Sequence, residues 1–252
     1  MHDAAKENKQ SSWRFETKYR VSFFDYHKIR AALRPHMKED YYTRSSMTGR
    51  YLVRSLYYDT YDYRLYHEKM SGDHERVKLR LRTYSQTPQS DSAIKAEMKV
   101  RKGNAMEKHS VIITLADGQH FIQKKQWYLN NNPVLQEFER CVHLLALNPQ
   151  VLVEYFREGY EDRARSNLRI TFDRKIRGAQ SLELFPPSPV FWREFHPQVI
   201  VLEIKSREDL PWWLRHIIRE YGLKWVANSK FTQAIQTARH DLYYPGGIVV
   251  VR

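Results

Sequence analysis

The chain has 252 residues, with 42 Lys or Arg against 29 Asp or Glu, a formal net charge of +13. Its 42% hydrophobic and 13% aromatic content is enough for a substantial core and argues against disorder, while a single cysteine, Cys141, excludes an internal disulfide framework and any multi-cysteine zinc or iron–sulfur site. No run approaches the ~18 apolar residues that span a bilayer, and the start lacks the apolar core of a signal peptide, so a cytoplasmic protein with an anionic partner is expected.

Residues 1–12 are polar and read as a flexible N-terminal arm. No linker or solenoid repeat follows, which predicts one domain. The dominant pattern is period two. Arg14, Glu16, Lys18 and Arg20 alternate with Phe15, Thr17 and Tyr19, predicting a strand. Helical spacing over 24–33 precedes a strand over 51–59. From 75 to 84, Arg76, Lys78, Arg80 and Arg82 share one face, and Val77, Leu79 and Leu81 the other. From 94 to 101, Lys95, Glu97, Lys99 and Arg101 oppose Ile94, Ala96, Met98 and Val100. Strands are also predicted over 110–115, 151–160 and 168–174, and over 200–207, where Glu203, Lys205 and Arg207 alternate with apolar residues. Helices are predicted over 134–147, behind an Asn132 cap with Pro133 at the first helical position, over 212–221 with Pro211 in the same role, and over 229–238. The class is α+β, with about eight antiparallel strands and a few covering helices.

A charged strand face ordinarily meets water. Here several strands carry three or four ionic groups on one face, mostly basic, and neighbouring Lys/Arg columns repel one another. Closing the sheet into a barrel would turn those faces into a lumen and leave the apolar faces for the helices to cover. Inward cations are costly to desolvate unless paired or liganded, which makes such a lumen a candidate polyanion site, and interleaved carboxylates suit a hard divalent cation.

Ser55-Leu-Tyr-Tyr-Asp59-Thr-Tyr-Asp62, then Tyr66, Lys69, Gly72 and the strand Arg76-Val-Lys-Leu-Arg80-Leu-Arg82-Thr-Tyr84, resemble the VTC domain, the polyphosphate-polymerase branch of the triphosphate tunnel metalloenzymes. The resemblance continues through Lys18, Glu97-Met-Lys99, Lys108, Tyr155-Phe-Arg157, Arg169-Ile-Thr-Phe-Asp173, Leu202-Glu203-Ile-Lys205 and Ser229-Lys230-Phe231. It implies a tunnel domain over 13–238, with 239–252 as an extension: an eight-stranded antiparallel β-barrel with a charged lumen, covered by α-helices. It implies transfer of the terminal phosphoryl group of ATP onto polyphosphate. In its terms Arg80, Arg82, Lys99, Arg157 and Arg169 would be catalytic, Lys18, Lys108 and Lys230 would bind phosphate, and Glu203 would hold Mn²⁺ or Mg²⁺; from their place on the same charged faces, Lys78 and Lys205 are expected to add to phosphate binding and Glu16 or Glu97 to help the metal. Two positions depart from the pattern. Arg14 stands where the wider superfamily has an acidic residue, and Lys230 is single where polymerases can have two lysines. With no membrane segment of its own, any coupling to transport would need a membrane-protein partner.

Each of these residues has a plainer role open to it. The basic residues can form ion pairs inside the lumen, such as Lys18 with Glu97 or Lys205 with Glu203. Asp59 and Asp173 can pair with lumen arginines or touch metal, and Tyr57, Tyr84 and Tyr155 can pack in the core or donate to phosphate. Trp212 and Trp213 are expected over the barrel wall, and Cys141 as a small buried residue. A triphosphate hydrolase in the same tunnel, or a module binding polyphosphate or nucleic acid, are the alternatives. No nucleic-acid motif appears, so nucleic acid is not the expected partner.

Overall fold

The alternating segments join into a single antiparallel sheet in a computed structural model, which describes residues 15–103, 105–128, 131–164 and 167–238. The strands are β1 (Phe15–Ser22), β2 (Met37–Glu39), β3 (Tyr51–Asp59), β4 (Glu75–Thr83), β5 (Ile94–Lys102), β6 (Ala105–Ile113), β7 (Asn148–Asp162), β8 (Arg169–Gln180), β9 (Arg193–Glu194) and β10 (Val199–Ser206). The helices are α1 (Phe23–Leu33), α2 (Tyr41–Ser45), α3 (Arg64–Ser71), α4 (Leu115–Lys124), α5 (Pro133–Leu144), α6 (Trp212–Glu220) and α7 (Lys230–Ala238). The long strands run in the order β1-β10-β8-β7-β3-β4-β5-β6, and β2 and β9 add short pairings to β7 and β8. The arm, Arg14 and the C-terminal extension expected from the sequence lie outside the described residues.

The sheet is curled rather than hydrogen-bonded into a closed barrel. Curling is evident because Lys99 on β5 lies in the electrostatic reach of Glu16 on β1 and of Glu203 and Lys205 on β10, far apart in the strand order. The expected ladder closure is absent among the described residues, since β1 and β6 end the strand path. The free edge of β1 is taken instead by the segment before α7. Trp225 bridges Tyr19, Val226 N donates to Lys18 O at 2.9 Å, and Lys18 Nζ donates to Asn228 O at 3.2 Å.

The apolar faces point outward, as the period-two pattern requires. Leu79, Leu81, Ile94, Ala96 and Met98 pack with Phe121 of α4 and Phe138 and Val142 of α5. On the other flank Tyr19, Val21, Ile170, Phe172, Ile200 and Leu202 pack with Tyr26, Ile29 and Leu33 of α1 and with Leu214 and Ile217 of α6. Burying side chains of this size stabilises by about 1.5–3 kcal/mol each. Cys141 is buried in the first cluster, as expected of a small apolar residue.

The exception among the helices is α7. Its Phe231, Ala234 and Ile235 pack with Val53, Val153, Tyr155 and Val201, which share the charged faces of their strands. It therefore sits against the concave side, toward one end of the tunnel. Gly178 makes this approach possible: a Cβ there would lie 3.0 Å from Ala234 Cβ and 2.7 Å from the Phe195 ring. Elsewhere the elements differ from expectation in local ways. The strand expected over 110–115 begins at Ala105, and α5 ends at Leu144, before Ala146 at φ 51°. Pro211 is the cap preceding α6 rather than its first residue. Helices α2, α3 and α4 were not anticipated. Asp59, expected to pair with arginine or metal, instead accepts from Thr60 N, Leu65 N and Tyr66 N at 2.7–3.1 Å, holding the start of α3.

Candidate active site in the curled sheet

The concave face has two ionic walls. On the first, Lys78, Arg80 and Arg82 of β4 stand beside Glu97 and Lys99 of β5 and Lys108 of β6. Glu97 accepts from Arg80 Nε at 2.6 Å and pairs with Lys108 Nζ at 2.5 Å and Arg82 Nε at 3.5 Å. Burial pushes its carboxyl up, but these three cations hold it well below the usual range. Arg80 is desolvated by the same burial, and Glu97 more than restores its preference for the charged form. Its Nη1 donates to Tyr57 Oη at 2.8 Å, while Arg82 Nε donates to Ser55 Oγ at 3.1 Å.

The second wall is built on β7, β8, β10, β1 and α7. Arg157 forks onto Asp173, Nε to Oδ1 at 2.6 Å and Nη2 to Oδ2 at 2.8 Å, and Lys230 Nζ closes on Oδ2 at 2.6 Å. Glu203 takes Lys205 at 2.7 Å and Arg157 at 3.6 Å. Lys18 pairs with Glu16 at 2.9 Å, rather than with Glu97, which lies on the first wall. Burial opposes ionisation of Glu203, and Lys205, Arg157, Lys18 and Lys230 override it, so this carboxyl too is held well below its ordinary value.

Two of the cations named on the first wall are left over. Among the described residues, Lys78 and Lys99 form no ion pair; Lys78 Nζ donates only to Ser229 Oγ at 3.3 Å. Burial first, then Lys99, Lys18 and other cations, push Lys78 down to about 7. Burial likewise brings Lys99 down to about 8, with Glu16 opposing and Arg80 and Lys205 adding to the shift. A half-buried lysine that sits among cations and forms no ion pair gains by meeting an anion. Basic groups converging from β1, β4, β5, β6, β7, β10 and α7 on one enclosed face give a receptor for a compact, highly charged anion, in which forked arginines suit phosphate oxygens.

A family model described as the VTC domain matches residues 13–239. The chain belongs to the VTC domain family. No curated protein matches it, but solved structures do. One is a candidate adenylate cyclase of Bacillus halodurans, 11% identical, with a TM-score of 0.53 over 86% of this chain and 94% of that one. Another is a candidate adenylate cyclase of Vibrio parahaemolyticus, 11% identical, with a TM-score of 0.47 over 89% and 99%. The first likeness supports the tunnel fold.

Tunnel enzymes of this kind generally use a divalent metal, and the second wall of the VTC domain fits one. Glu16 and Glu203 are electrostatic neighbours: burial and Glu203 push Glu16 up, and Lys205, Lys18 and Lys99 outweigh them. Thr171 is paired in register with Glu203, and its Oγ1 is buried with no hydrogen-bond partner. Among the described residues no three His, Cys, Asp or Glu come together as a cage. Two carboxylates and a hydroxyl therefore offer a partial oxygen set, which suits a hard cation that takes its remaining ligands from phosphate and water. Glu97, expected to help the metal, is engaged by three cations on the opposite wall.

Arg169, in register with Lys205, ends the second wall at the tunnel mouth away from α7. It is 44% exposed at its side chain and its Nη2 reaches Asp40 Oδ2 at 2.8 Å. Asp40 was missed in the sequence. It is almost fully buried, caps α2 by accepting from Thr43 N at 2.8 Å, and fills the space that a side chain at Gly159 would need, a Cβ there falling 2.0 Å from Oδ2. The Asp40-Tyr-Tyr-Thr43 capping pattern was the available signal for the helix, but nothing local marks its pairing with Arg169. Thr171 was missed for a similar reason: a threonine in a strand is ordinary, and only the register sets it against Glu203. Of the other expectations, Tyr57 and Tyr155 are buried core residues, Trp213 stacks on His36 at 4.3 Å, and Trp212 is exposed.

Proposed function

We propose that this VTC domain is an ATP-dependent polyphosphate polymerase working in the cytoplasm. The observation that carries the reading is the excess of basic over acidic side chains on the concave face, with Lys78 and Lys99 forming no ion pair among the described residues. Phosphoryl transfer asks a protein chiefly for positioning and charge neutralisation. A terminal oxygen of the polyphosphate chain forms the new bond to the γ-phosphorus of ATP, the bond from that phosphorus to the bridging oxygen breaks, and ADP leaves with the electron pair. Arg80, Arg82 and Arg157 clamp the transferred group through the guanidinium N–H groups that Glu97, Ser55, Tyr57 and Asp173 leave free, and Arg169 binds at the mouth. Lys18, Lys78, Lys99, Lys108, Lys205 and Lys230 neutralise the flanking phosphates. Asp173 and Glu97 keep Arg157 and Arg80 oriented before substrate arrives. Glu203, with Glu16 and Thr171, would hold Mn²⁺ or Mg²⁺, which supplies further neutralisation of phosphate charge. Any coupling to transport would come from a membrane-protein partner; among the described residues no helix is long and apolar enough to cross a membrane.

The proximity of Glu16 to Glu203 favours a second reading, hydrolysis of triphosphate, because a paired carboxylate site can hold metal and orient water. Incubating the protein with ATP and Mn²⁺ and resolving the products separates the two. Long-chain polyphosphate with ADP supports polymerisation. ADP and phosphate without polymer supports hydrolysis, and neither product across several metals removes both.

A further inference from the structure

The end of the tunnel away from α7 carries four tyrosines that phosphate binding leaves without a role. Tyr84 continues the charged face of β4, two residues past Arg82 and four past Arg80, which puts it roughly 13 Å beyond Arg80 along the strand. Tyr42, on α2, stacks on it with ring centroids 5.0 Å apart and planes 25° off parallel. Tyr51 lies 5.8 Å from Tyr84 and 5.2 Å from Tyr42, and Tyr41 meets Tyr42 edge-on at 5.6 Å. Lys95 Nζ sits 5.5 Å over the Tyr84 ring, so the cationic lumen runs directly into this aromatic group.

Tyr51 and Tyr84 lean on the core, and two features set Tyr41 and Tyr42 apart from it. Tyr42 and Tyr41 keep 40% and 67% of their surface exposed, whereas Tyr57 and Tyr155, deeper in the same tunnel, are almost fully buried. The platform is nevertheless held firmly. Asp40 N donates to Gly159 O at 2.8 Å, Gly159 N donates to Thr43 Oγ1 at 2.7 Å, and Asp40 caps the helix, so α2 is clamped onto β7. Rigid, exposed aromatic rings flanked by cations are the usual stacking surface for a nucleobase.

The tunnel's polarity decides which ligand part arrives there. Because α7 packs against the concave face toward the other end, a nucleotide whose phosphates occupy the lumen projects its nucleoside through the tyrosine-lined mouth. We propose that the Tyr42–Tyr84 stack is a nucleobase subsite, which makes the substrate a nucleoside triphosphate bound with its base on Tyr42 and its phosphates toward Arg80 and Arg157. This rests on the proposed triphosphate-binding lumen and adds to it a determinant that inorganic triphosphate cannot use.

The test is calorimetric titration of the whole protein with ATP and, separately, with inorganic tripolyphosphate, for wild type, Tyr42→Ala and Tyr42→Phe. Tyr42→Ala should weaken ATP by about tenfold, the size of one lost base–aromatic stack, and leave tripolyphosphate unchanged. Tyr42→Phe should keep both ligands, since the ring and not the hydroxyl stacks. Tyr84→Leu, a second variant on the other half of the stack, should weaken ATP more than tripolyphosphate, any loss of the latter reporting the Tyr84 hydroxyl's bond to Arg82. Equal loss of both ligands, no loss of ATP, or a Tyr42→Phe defect as large as that of alanine would overturn the subsite. If wild type bound tripolyphosphate and not ATP, the subsite would fail and the lumen stand; binding of neither would remove the lumen reading and the subsite with it.

Discussion

Buried carboxylates ringed by arginines occur on both faces of this sheet, and only one face reads as a site. On the convex face Glu154 is bonded by Arg54 and Arg177, whose guanidiniums lie against Phe185 and Trp192. Glu158 accepts from Tyr26 Oη at 2.6 Å and 2.7 Å and draws in Arg30, Arg50 and Arg174, the last packed on Phe23 and Tyr26. There each carboxylate is served by its arginines, and aromatic rings cover several of those cations. In the lumen the pairing is incomplete: Lys78 and Lys99 form no ion pair among the described residues, and Thr171 Oγ1 is buried without a hydrogen-bond partner. The lesson is that buried charge by itself marks structure, whereas an unbalanced set on an enclosed face marks a missing ligand.

The largest expected effect should separate the two faces. Arg80→Ala removes a phosphate fork and should lower turnover by about 10²–10³-fold, with the thermal midpoint nearly retained because Glu97 keeps Lys108 and Arg82. Steady-state product assays beside a melting curve check this; unchanged turnover would contradict the lumen assignment. Glu158→Ala should do the opposite, costing about 3–5 kcal/mol of stability by stranding its arginines. Its activity per folded molecule should stay normal, as read by denaturant unfolding and by kinetics on the soluble fraction. A large catalytic defect at full stability would erase the distinction between the faces.

The same contrast explains what the sequence made legible. The lumen residues of β4, β5 and β10 stand out because period two sorts Lys and Arg onto one face and Val, Leu and Ile onto the other. Family resemblance then picked out Lys108 and Lys230, which fall outside the strands that periodicity alone found. The first half of β6 was missed because its residues 105–109 are largely exposed on both faces and carry no apolar alternation. Helix α4 was hidden by the apolar run before it, although Thr114 and Asp117 form a reciprocal capping box that marks its start. Glu154 and Glu158 were unreadable as ion-pair centres, since their partners come from β3, β8, α1 and the segment before β3. Barrel closure was expected because period two does not report which strand edges meet, and the segment 225–228 holds no strand pattern.

A smaller effect sharpens the account through pH. Lys78 and Lys99 titrate near 7 and 8 because burial and neighbouring cations disfavour their charged forms. Anion binding needs those charges, so affinity for triphosphate should be greatest below pH 7 and fall by about tenfold or more between pH 7 and 9. Lys78→Arg, which stays charged throughout, should flatten the lower part of that profile. A profile that is equally steep in this variant would assign the titration to another group.

The most direct test of the central claim counts protons. Tripolyphosphate binding measured by calorimetry at pH 8, in two buffers of different ionisation enthalpy, gives the number of protons taken up on binding. If the anion completes the unbalanced set, Lys78 and Lys99 regain their charges in the complex and the protein takes up protons. Binding with no proton uptake, or no binding at all, would contradict it.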